Sequence, residues 1–312
     1  MNDNQRYVLI SPCRNEVDFM RRTLDSVTSQ TIQPAQWIVV DDGSTDGTSE
    51  ILQEYAERFP FITVVRRQDR GKRSVGPGVI EAFYEGYDRI SVEYGYLCKL
   101  DMDLDLPTRY FERLMEKMHA EPRLGTASGK AFYTVASTGE HVLETIRDHV
   151  SIGASKFYRR ECFEQIGGFV REVMWDGIDC HRARMFGWIA GSYDEPELRF
   201  EHLRPMGSSE HNILIGRKRH GYGQYFMGSS FVFMTASALS RLNAQPRVVG
   251  ATMMWWGYVE AMLARRPRYN DVAFIRFLRR WQWLSLWKGT ARATEQVTAE
   301  QKDIWNPKAQ AT

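Results

Sequence analysis

Two aspartates separated by a single residue follow a run that is typical of a buried strand. The segment is Lys99-Leu100-Asp101-Met102-Asp103. Residues two apart in extended backbone point to the same side, so Asp101 and Asp103 can converge on one hard cation. Carboxylate oxygens suit Mg²⁺ or Mn²⁺, especially where a diphosphate supplies further ligands. A solvated Asp-rich turn is the alternative for so short a pattern, and the preceding strand favours the metal site.

A second acidic pair, Asp41-Asp42, ends the apolar run 38–40 and begins a Gly- and Ser-rich stretch. Carboxylates accept hydrogen bonds from nucleobase N–H groups and ribose hydroxyls. Helix capping explains Ser44 and Asp46, but it does not explain two consecutive aspartates. We therefore expect Asp41 and Asp42 to bind a ligand that carries hydrogen-bond donors.

The elements that must position these residues alternate between strand and helix. The pattern predicts strands at 7–10, 36–41, 61–66 and 96–101, and helices at 16–29, 44–59, 77–92 and 107–119. This alternation predicts an α/β fold with a Rossmann-like, mostly parallel sheet and helices on both faces. Ligands bind such sheets at the carboxyl ends of the strands. We expect the loop 11–16 and both acidic pairs to lie together at that edge.

Composition sets limits on the class of protein. The chain has 312 residues, 43% of them hydrophobic, and a net charge of +2, so we expect no nucleic-acid partner. Four separated cysteines without a CxxC pair fit a reducing compartment, and the N-terminus lacks the apolar core of a signal peptide. We therefore expect a cytoplasmic protein. No GxGxxG or GxxxxGK[ST] motif is present, which argues against a dinucleotide-dependent dehydrogenase and a P-loop NTPase.

Taken together, the motifs resemble the family 2 glycosyltransferases, which have the GT-A fold. The matching stretches are Ser11-Pro12 with Asn15-Glu16, VVDDGSTDGT at 39–48, the DxD at 101–103, Gly167-Gly168-Phe169 and the acidic WDGID at 175–179. The resemblance covers roughly residues 7–202. It implies transfer of a sugar from a nucleotide-diphosphate donor to an acceptor hydroxyl, with inversion at the anomeric carbon.

The resemblance also implies roles for individual residues. Residues of the first two loops would bind the donor nucleotide, namely Pro12, Arg14, Glu16, Asp41 and Asp42. Asp101 would contact ribose or metal, and Asp103 would hold the Mg²⁺ or Mn²⁺. Arg182 would contact the diphosphate or serve a structural role.

The general base has two candidates. Asp176 matches the aspartate of the family's acidic motif, although Trp175 stands where that motif has glutamate. Asp179 is the rival, three residues further on, and a helix is predicted at 180–187. A sugar hydroxyl needs a positioned base at neutral pH, and Asp176 can supply it even if it also caps the predicted helix.

Three basic features are weaker candidates for the donor diphosphate. Lys72, in a flexible basic loop, can reach a phosphate or stay solvated. His202, after a strand predicted at 198–200, stands where the family often carries a histidine near the diphosphate, and a structural histidine is the alternative. The cluster 217–220 can bind the diphosphate or anionic lipid, or form a solvated turn.

The C-terminal part differs in character from the rest. Residues 221–240 carry no charge and are long enough to span a bilayer, but they are only modestly hydrophobic. Residues 271–287 place aromatic side chains on one helical stripe with arginines around it, as an interfacial helix does. We expect docking on the inner face of the membrane or, alternatively, a buried subdomain or a homo-oligomer interface.

The sequence thus predicts a metal-dependent inverting glycosyltransferase that uses a UDP-, GDP- or dTDP-sugar and a glycan or lipid-linked acceptor, in surface polysaccharide or glycolipid synthesis. Its catalytic domain would span 1–205, with a nucleotide-binding half at 1–105 and an acceptor-binding half at 106–205. A helical region at 206–290 and a frayed polar tail at 291–312 would follow. The alternatives are a sugar-nucleotide nucleotidyltransferase and a non-catalytic nucleotide-sugar binding module.

Overall fold

Strand and helix alternate through the first hundred residues of the computed structural model, which describes residues 6–71, 76–135, 137–204 and 213–308. In chain order the strands are β1 (Tyr7–Cys13), β2 (Gln36–Asp41), β3 (Ile62–Arg66), β4 (Tyr96–Leu100), β5 (Leu104–Asp105), β6 (Leu124–Gly129), β7 (Ala131–Thr134), β8 (His141–Leu143), β9 (Ser155–Arg159), β10 (Ile189–Tyr193) and β11 (Phe200–His202). The helices are α1 (Met20–Thr28), α2 (Thr48–Arg58), α3 (Pro77–Tyr87), α4 (Tyr110–Ala120), α5 (Arg160–Gln165), α6 (Trp175–Met185), α7 (Ile213–Phe226), α8 (Phe231–Leu239), α9 (Val249–Leu263), α10 (Val272–Lys288) and α11 (Thr290–Glu300). The predicted α/β class with a mostly parallel sheet is confirmed.

Within the described ranges, the larger sheet has seven strands in the order β10-β6-β9-β4-β1-β2-β3. All pairs are parallel except those of β9, which is antiparallel to both neighbours. Strands β1, β2 and β4 are buried almost throughout, as expected for a sheet covered on both faces. Because β1 lies between β2 and β4, the three loops predicted to carry chemistry leave the sheet side by side.

A smaller sheet, in the order β5-β11-β7-β8, brings a distant segment to the same edge. Strand β11 pairs antiparallel with β5, so that His202 lies opposite Leu104. His202 is therefore the last residue of a strand, whereas the sequence predicted a strand that ends two residues earlier. This pairing places β11 beside the DxD segment.

The loop after β2 is longer than predicted, because α2 begins at Thr48 and not at Ser44. Ser44 Oγ accepts a hydrogen bond from the Asn15 N–H at 2.9 Å, which links this loop to the loop after β1. Gly43 has a φ of 76°, and a Cβ there would lie 2.5 Å from Asp69 Cα. The predicted N-cap role of Ser44 is thus wrong, and its hydroxyl joins two loops of the ligand-binding edge instead.

The uncharged run 221–240 is split between two helices. It covers the end of α7, a turn, and α8. None of the helices in the part of the chain that the structure describes is long and apolar enough to cross a membrane.

Residues beyond 290 are ordered, so the prediction of a frayed tail is wrong as far as residue 308. Helix α11 buries Ala293 and Val297 against α10. A short 3₁₀ turn, Lys302–Ile304, follows, and the Trp305 ring then packs edge-on against Trp188 at a centroid distance of 5.5 Å. The hydrophobic pattern did not predict this helix because most of its residues are polar, and only two apolar side chains pack against α10.

Helices α7 and α9 pack backbone against backbone through glycines. A Cβ at Gly221 would lie 1.8 Å from Met254 O, and one at Gly257 would lie 2.0 Å from Lys218 O. No larger side chain fits at either position unless the helices move apart.

We expect Gly221→Ala to lower the free energy of unfolding by about 1–3 kcal/mol, because the added methyl group meets a backbone carbonyl. Gly216→Ala is the matched control on the same helix, since nothing lies within 4 Å of a Cβ there. Its helix propensity should make it neutral or stabilising by up to about 1 kcal/mol. Urea unfolding of both variants checks the prediction, and equal stabilities would contradict the close contact.

Candidate active site

A cavity of about 350 Å³ opens at the carboxyl ends of β1, β2 and β4. It brings together most of the residues that the sequence predicts to be functional: Pro12, Arg14, Glu16, Asp42, Asp101, Asp103, Asp176 and His202. The segment before β9 and the start of α6 form the opposite wall with Gly153 and Trp175. One site therefore contains both acidic loops and the WDGID segment.

Asp103 lies at the most highly charged point of the cavity. Its Oδ2 accepts a hydrogen bond from Arg204 Nε at 2.6 Å and lies 3.6 Å from His202 Nε2. Arg204 also donates from Nη2 to Glu16 Oε1 at 2.7 Å, so its guanidinium links the first loop to the DxD.

These contacts decide the charge states. Burial opposes ionisation of Asp103, but His202 and Arg204 outweigh it and lower the pKa of Asp103 to about 2. Burial likewise opposes a charged His202, but the carboxylates of Asp103 and Glu144 raise its pKa to about 10. Asp103 is thus an anion and His202 a cation at neutral pH.

Asp101 differs from Asp103 in its environment. The Lys99 ammonium donates to Asp101 Oδ1 and, at 2.9 Å, to Gly153 O. Burial raises the pKa of Asp101, an effect that Asp103 reinforces and Lys99 opposes. Asp101 is therefore less readily ionised than Asp103.

The donor set fits a divalent cation. Asp103 Oδ1 is buried and accepts no hydrogen bond from any residue within the described ranges, and the carboxylate is ionised. Within those same ranges, no three His, Cys, Asp or Glu side chains converge as a metal-binding group. A cation here would be held by Asp103, with Asp101 beside it, and by diphosphate and water oxygens, which is how Mg²⁺ is commonly bound.

The loop after β2 contributes only one of its two aspartates. Asp42 lines the cavity, and its carboxylate accepts hydrogen bonds from Arg67 Nη1 at 2.7 Å and Arg70 Nη2 at 2.5 Å. Arg14 donates to the Asp42 carbonyl and to Asp69 Oδ1. Three arginines therefore surround Asp42.

Asp41 is fully buried and makes structural contacts. Its carboxylate accepts hydrogen bonds from the Ser44 N–H at 2.8 Å and from Ser49 Oγ at 2.5 Å, which hold the loop and the start of α2. Nucleotide binding was expected of Asp41, but its side chain is fully buried and, unlike that of Asp42, does not line the cavity.

Asp176 and Asp179 point to different environments. Asp176 lies in the first turn of α6, is exposed, and lines the cavity. A Cβ at Gly153 would be 3.3 Å from Asp176 Oδ2, so this glycine keeps the space in front of the carboxylate open.

Asp179 is 1% exposed and pairs with the buried Lys156 at 2.6 Å, while Tyr158 donates to its other oxygen. Lys156 also donates to the Asp176 carbonyl at 2.6 Å, which fixes the start of α6. Asp179 therefore positions the helix and does not face the cavity. The helix begins at Trp175, five residues earlier than predicted.

Arg182, a further predicted donor-binding residue, does not line the described cavity. Arg182 contacts Tyr269 Oη and lies 3.6 Å from Asp271 Oδ2, so it connects α6 to the segment before α10. A structural role was one of the two alternatives that the sequence gave for Arg182, and these contacts agree with it. Lys72 lies outside the described residues.

Sequence reasoning singled out some of the basic residues that line the cavity, but it missed Arg204. Arg204 lies two residues after His202. Its closeness to a candidate site histidine was the only signal in the sequence that pointed to it. Arg219 belongs to the basic cluster 217–220 and lines the cavity from α7. Trp175 forms part of the wall, with the ammonium groups of Lys99 and Lys156 each 5.5 Å from its ring centroid.

A parallel sheet with this acidic edge, facing a carboxylate on a helix, is the arrangement of a GT-A glycosyltransferase. The family model described as "Glycosyl transferase family 2" matches residues 8–171. The chain therefore belongs to glycosyl transferase family 2.

Relatives of known name and structure agree with this. The chain is 27% identical over 144 residues to the poly-beta-1,6-N-acetyl-D-glucosamine synthase of Staphylococcus aureus (strain MSSA476). That match covers 46% of this chain and 33% of the synthase, so the chain spans about a third of the curated relatives' length.

Solved structures share the fold over most of the chain. A mannosyltransferase from Pyrobaculum calidifontis, in complex with GDP-Man and Mn²⁺, has a TM-score of 0.50 at 20% identity and covers 95% of this chain and 86% of its own. Residues 1–349 of S. aureus TarS, in complex with UDP-GlcNAc, have a TM-score of 0.51 at 12% identity, and the coverages are 96% and 92%. At these identities the likeness establishes the GT-A fold.

Proposed function

We propose that this glycosyltransferase uses a divalent cation to transfer a sugar from a nucleotide diphosphate to an acceptor hydroxyl, with inversion. The observation that carries the proposal is the single cavity that places Asp42, Asp103 and Asp176 around one space. These three carboxylates support roles in binding the nucleotide, holding the cation and accepting the acceptor proton, in that order.

The nucleotide would lie along the loops after β1 and β2. Pro12 and Glu16 line this side, and Asp42 offers its carboxylate to base or ribose donors. Arg14, Arg67 and Arg70 surround Asp42 and supply positive charge near an anionic ligand. Lys72 stays a proposed diphosphate contact.

The diphosphate would lie beside Asp103, where His202 and Arg204 contribute positive charge. Asp103, with Asp101 beside it, would hold Mg²⁺ or Mn²⁺, which when bound would supply positive charge against the charge gained by the leaving nucleotide diphosphate. His202 and Arg204 are protonated partners of Asp103, and both can donate hydrogen bonds to phosphate oxygens. Arg219 brings a further positive charge from α7.

The proton of the acceptor hydroxyl would move to Asp176. As the acceptor oxygen forms its bond to the anomeric carbon, the bond from that carbon to the phosphate oxygen breaks. The electron pair leaves with the nucleotide diphosphate. A single displacement from the opposite face inverts the anomeric carbon, and it needs only this one base.

The acceptor would be a glycan or lipid-linked glycan in surface polysaccharide or glycolipid synthesis. One matched relative is named as a polysaccharide synthase, which favours this class. A cytoplasmic enzyme at the inner face of the membrane would meet both the nucleotide-sugar and such an acceptor.

A hydrolysis assay with UDP-, GDP- and dTDP-sugars, with and without Mn²⁺, tests the proposal. We expect Asp103→Asn to reduce Mn²⁺-dependent turnover by about 10²–10³-fold, because one charged stabiliser of the leaving group is lost. Mn²⁺ affinity, measured by calorimetry in the presence of the nucleoside diphosphate, should fall with it.

Asp105→Asn is the matched control, since Asp105 lies two residues on and pairs with the exposed Arg22 at 2.5 Å. It should keep wild-type turnover and Mn²⁺ affinity. No Mn²⁺-dependent turnover of any donor, or equal Mn²⁺ affinities for all three proteins, would contradict the proposed role of Asp103.

A further inference from the structure

The C-terminal helices carry a large excess of positive charge. Residues 213–288 contain twelve Lys and Arg residues and only two acidic ones, Glu260 and Asp271, a net charge of +10. Because the whole chain carries +2, the rest of it carries −8. The excess of positive over negative charge in this protein therefore lies in this helical region.

Helix α10 has two unlike faces. Phe274, Leu278 and Trp281 are buried, and α10 packs against α6 and α11. The other face exposes Arg276 and Arg280 followed by Trp283 and Trp287, whose exposed fractions are 52% and 83%. Arg280 also pairs with Glu300 Oε2 of α11 at 2.8 Å. The sequence left three roles open for the aromatic stripe, contact with a membrane, burial in a subdomain or an oligomer interface; the stripe is buried, and different tryptophans are exposed.

Helix α10 also contacts the segment that begins α8. Gln282 Oε1 accepts a hydrogen bond from the Ser230 N–H at 2.9 Å, and Arg279 Nε donates to Gly228 O at 3.2 Å. Trp283 follows Gln282, and the exposed Phe231 and Val232 follow Ser230. We call this the α8–α10 surface, made of Phe231, Val232, Arg276, Arg279, Arg280, Trp283, Leu286 and Trp287.

We propose that the α8–α10 surface docks on an anionic lipid bilayer. Exposed tryptophans beside arginines are the composition of helices that lie in the membrane interface, where indoles enter the headgroup region and guanidinium groups meet anionic lipid. The local net charge is complementary to such a bilayer and opposite to that of the remaining chain, which orients the protein on approach.

The charge also argues against a second copy of this chain as the occupant. A twofold contact would bring the same arginines of two protomers together, and like charges across an interface disfavour association. The inference goes beyond the proposed function and does not depend on it, because a lipid surface can be bound without catalysis.

Sedimentation of the full chain with lipid vesicles tests the inference. We expect binding to vesicles with about 30% phosphatidylglycerol, weak binding to pure phosphatidylcholine, and weaker binding as salt increases. Two paired variants, Trp283→Ala with Trp287→Ala and Arg276→Gln with Arg280→Gln, should each lower the partition coefficient at least about tenfold.

Matched controls are Ile304→Ala and Arg58→Gln, whose exposed side chains lie outside the α8–α10 surface. They should bind vesicles as the wild type does. Thermal unfolding and donor hydrolysis in solution should be unchanged in all four variants, which separates a docking defect from a folding or catalytic one.

Two results would overturn the inference. One is equal partition of the wild type and the paired tryptophan variant into anionic vesicles. The other is a wild type that does not bind the vesicles but forms a dimer in light scattering, where the paired tryptophan variant is a monomer. That result would assign the surface to contact between copies of the chain.

Discussion

Replacing Asp176 with Asn should lower sugar transfer by about 10²–10⁴-fold, the range that a positioned general base contributes. The amide has nearly the shape of the carboxylate but cannot take the acceptor proton. Asp176 is exposed at the cavity wall, and its carboxylate forms no ion pair with any residue that the structure describes, so the substitution leaves no buried charge without its partner. Donor affinity and protein stability should therefore stay close to those of the wild type.

Transfer rates and donor binding by calorimetry should be measured on the same preparations. Loss of donor affinity in parallel with turnover would place Asp176 on the donor side and refute its assignment as the base. Retained turnover would refute the assignment directly.

Replacing Asp179 with Ala should have a different effect, namely a loss of about 3–5 kcal/mol in the free energy of unfolding. Removing one member of a buried ion pair leaves the other charge buried and uncompensated. The Lys156 side chain is 0% exposed and that of Asp179 is 1% exposed, with 2.6 Å between Nζ and Oδ1. Urea unfolding measures the effect.

A paired replacement is the control for this reading. Lys156→Met with Asp179→Leu removes both charges at once and should recover much of the lost stability, because no unpaired charge remains. If Asp179→Ala were stable but inactive while Asp176→Asn remained active, Asp179 would be the base and our assignment would be wrong.

The sequence predicted the sheet edge well, for physical reasons that are local. The bounds predicted for β2 agree with the structure because the run from Gln36 to Asp41 is a continuous buried strand between turn residues. Asp101 and Asp103 follow β4 and reach the cavity, as expected. The different surroundings of Asp41, which is buried, and Asp42, which lines the cavity, could also have been predicted, since successive side chains at a strand end point in opposite directions.

Other features depend on contacts that no local pattern contains. Arg204 reaches Asp103 and Glu16 across long sequence separations, because β11 pairs with β5. The start of α6 was missed since its buried face includes Asp179, His181 and Arg184, which obscure a helical hydrophobic period. Polar residues that are buried for pairing look like surface residues in a sequence.

The glycine contact between α7 and α9 has a consequence for how this enzyme could be divided or recombined. Helix α7 brings Arg219 to the cavity, and its glycine faces hold it against α9. The family model ends at residue 171, well before either helix. A chimera that exchanged everything beyond the matched segment would thus also exchange the residues that line the cavity from α6 and α7, and we expect such a graft to change which ligands the cavity accepts.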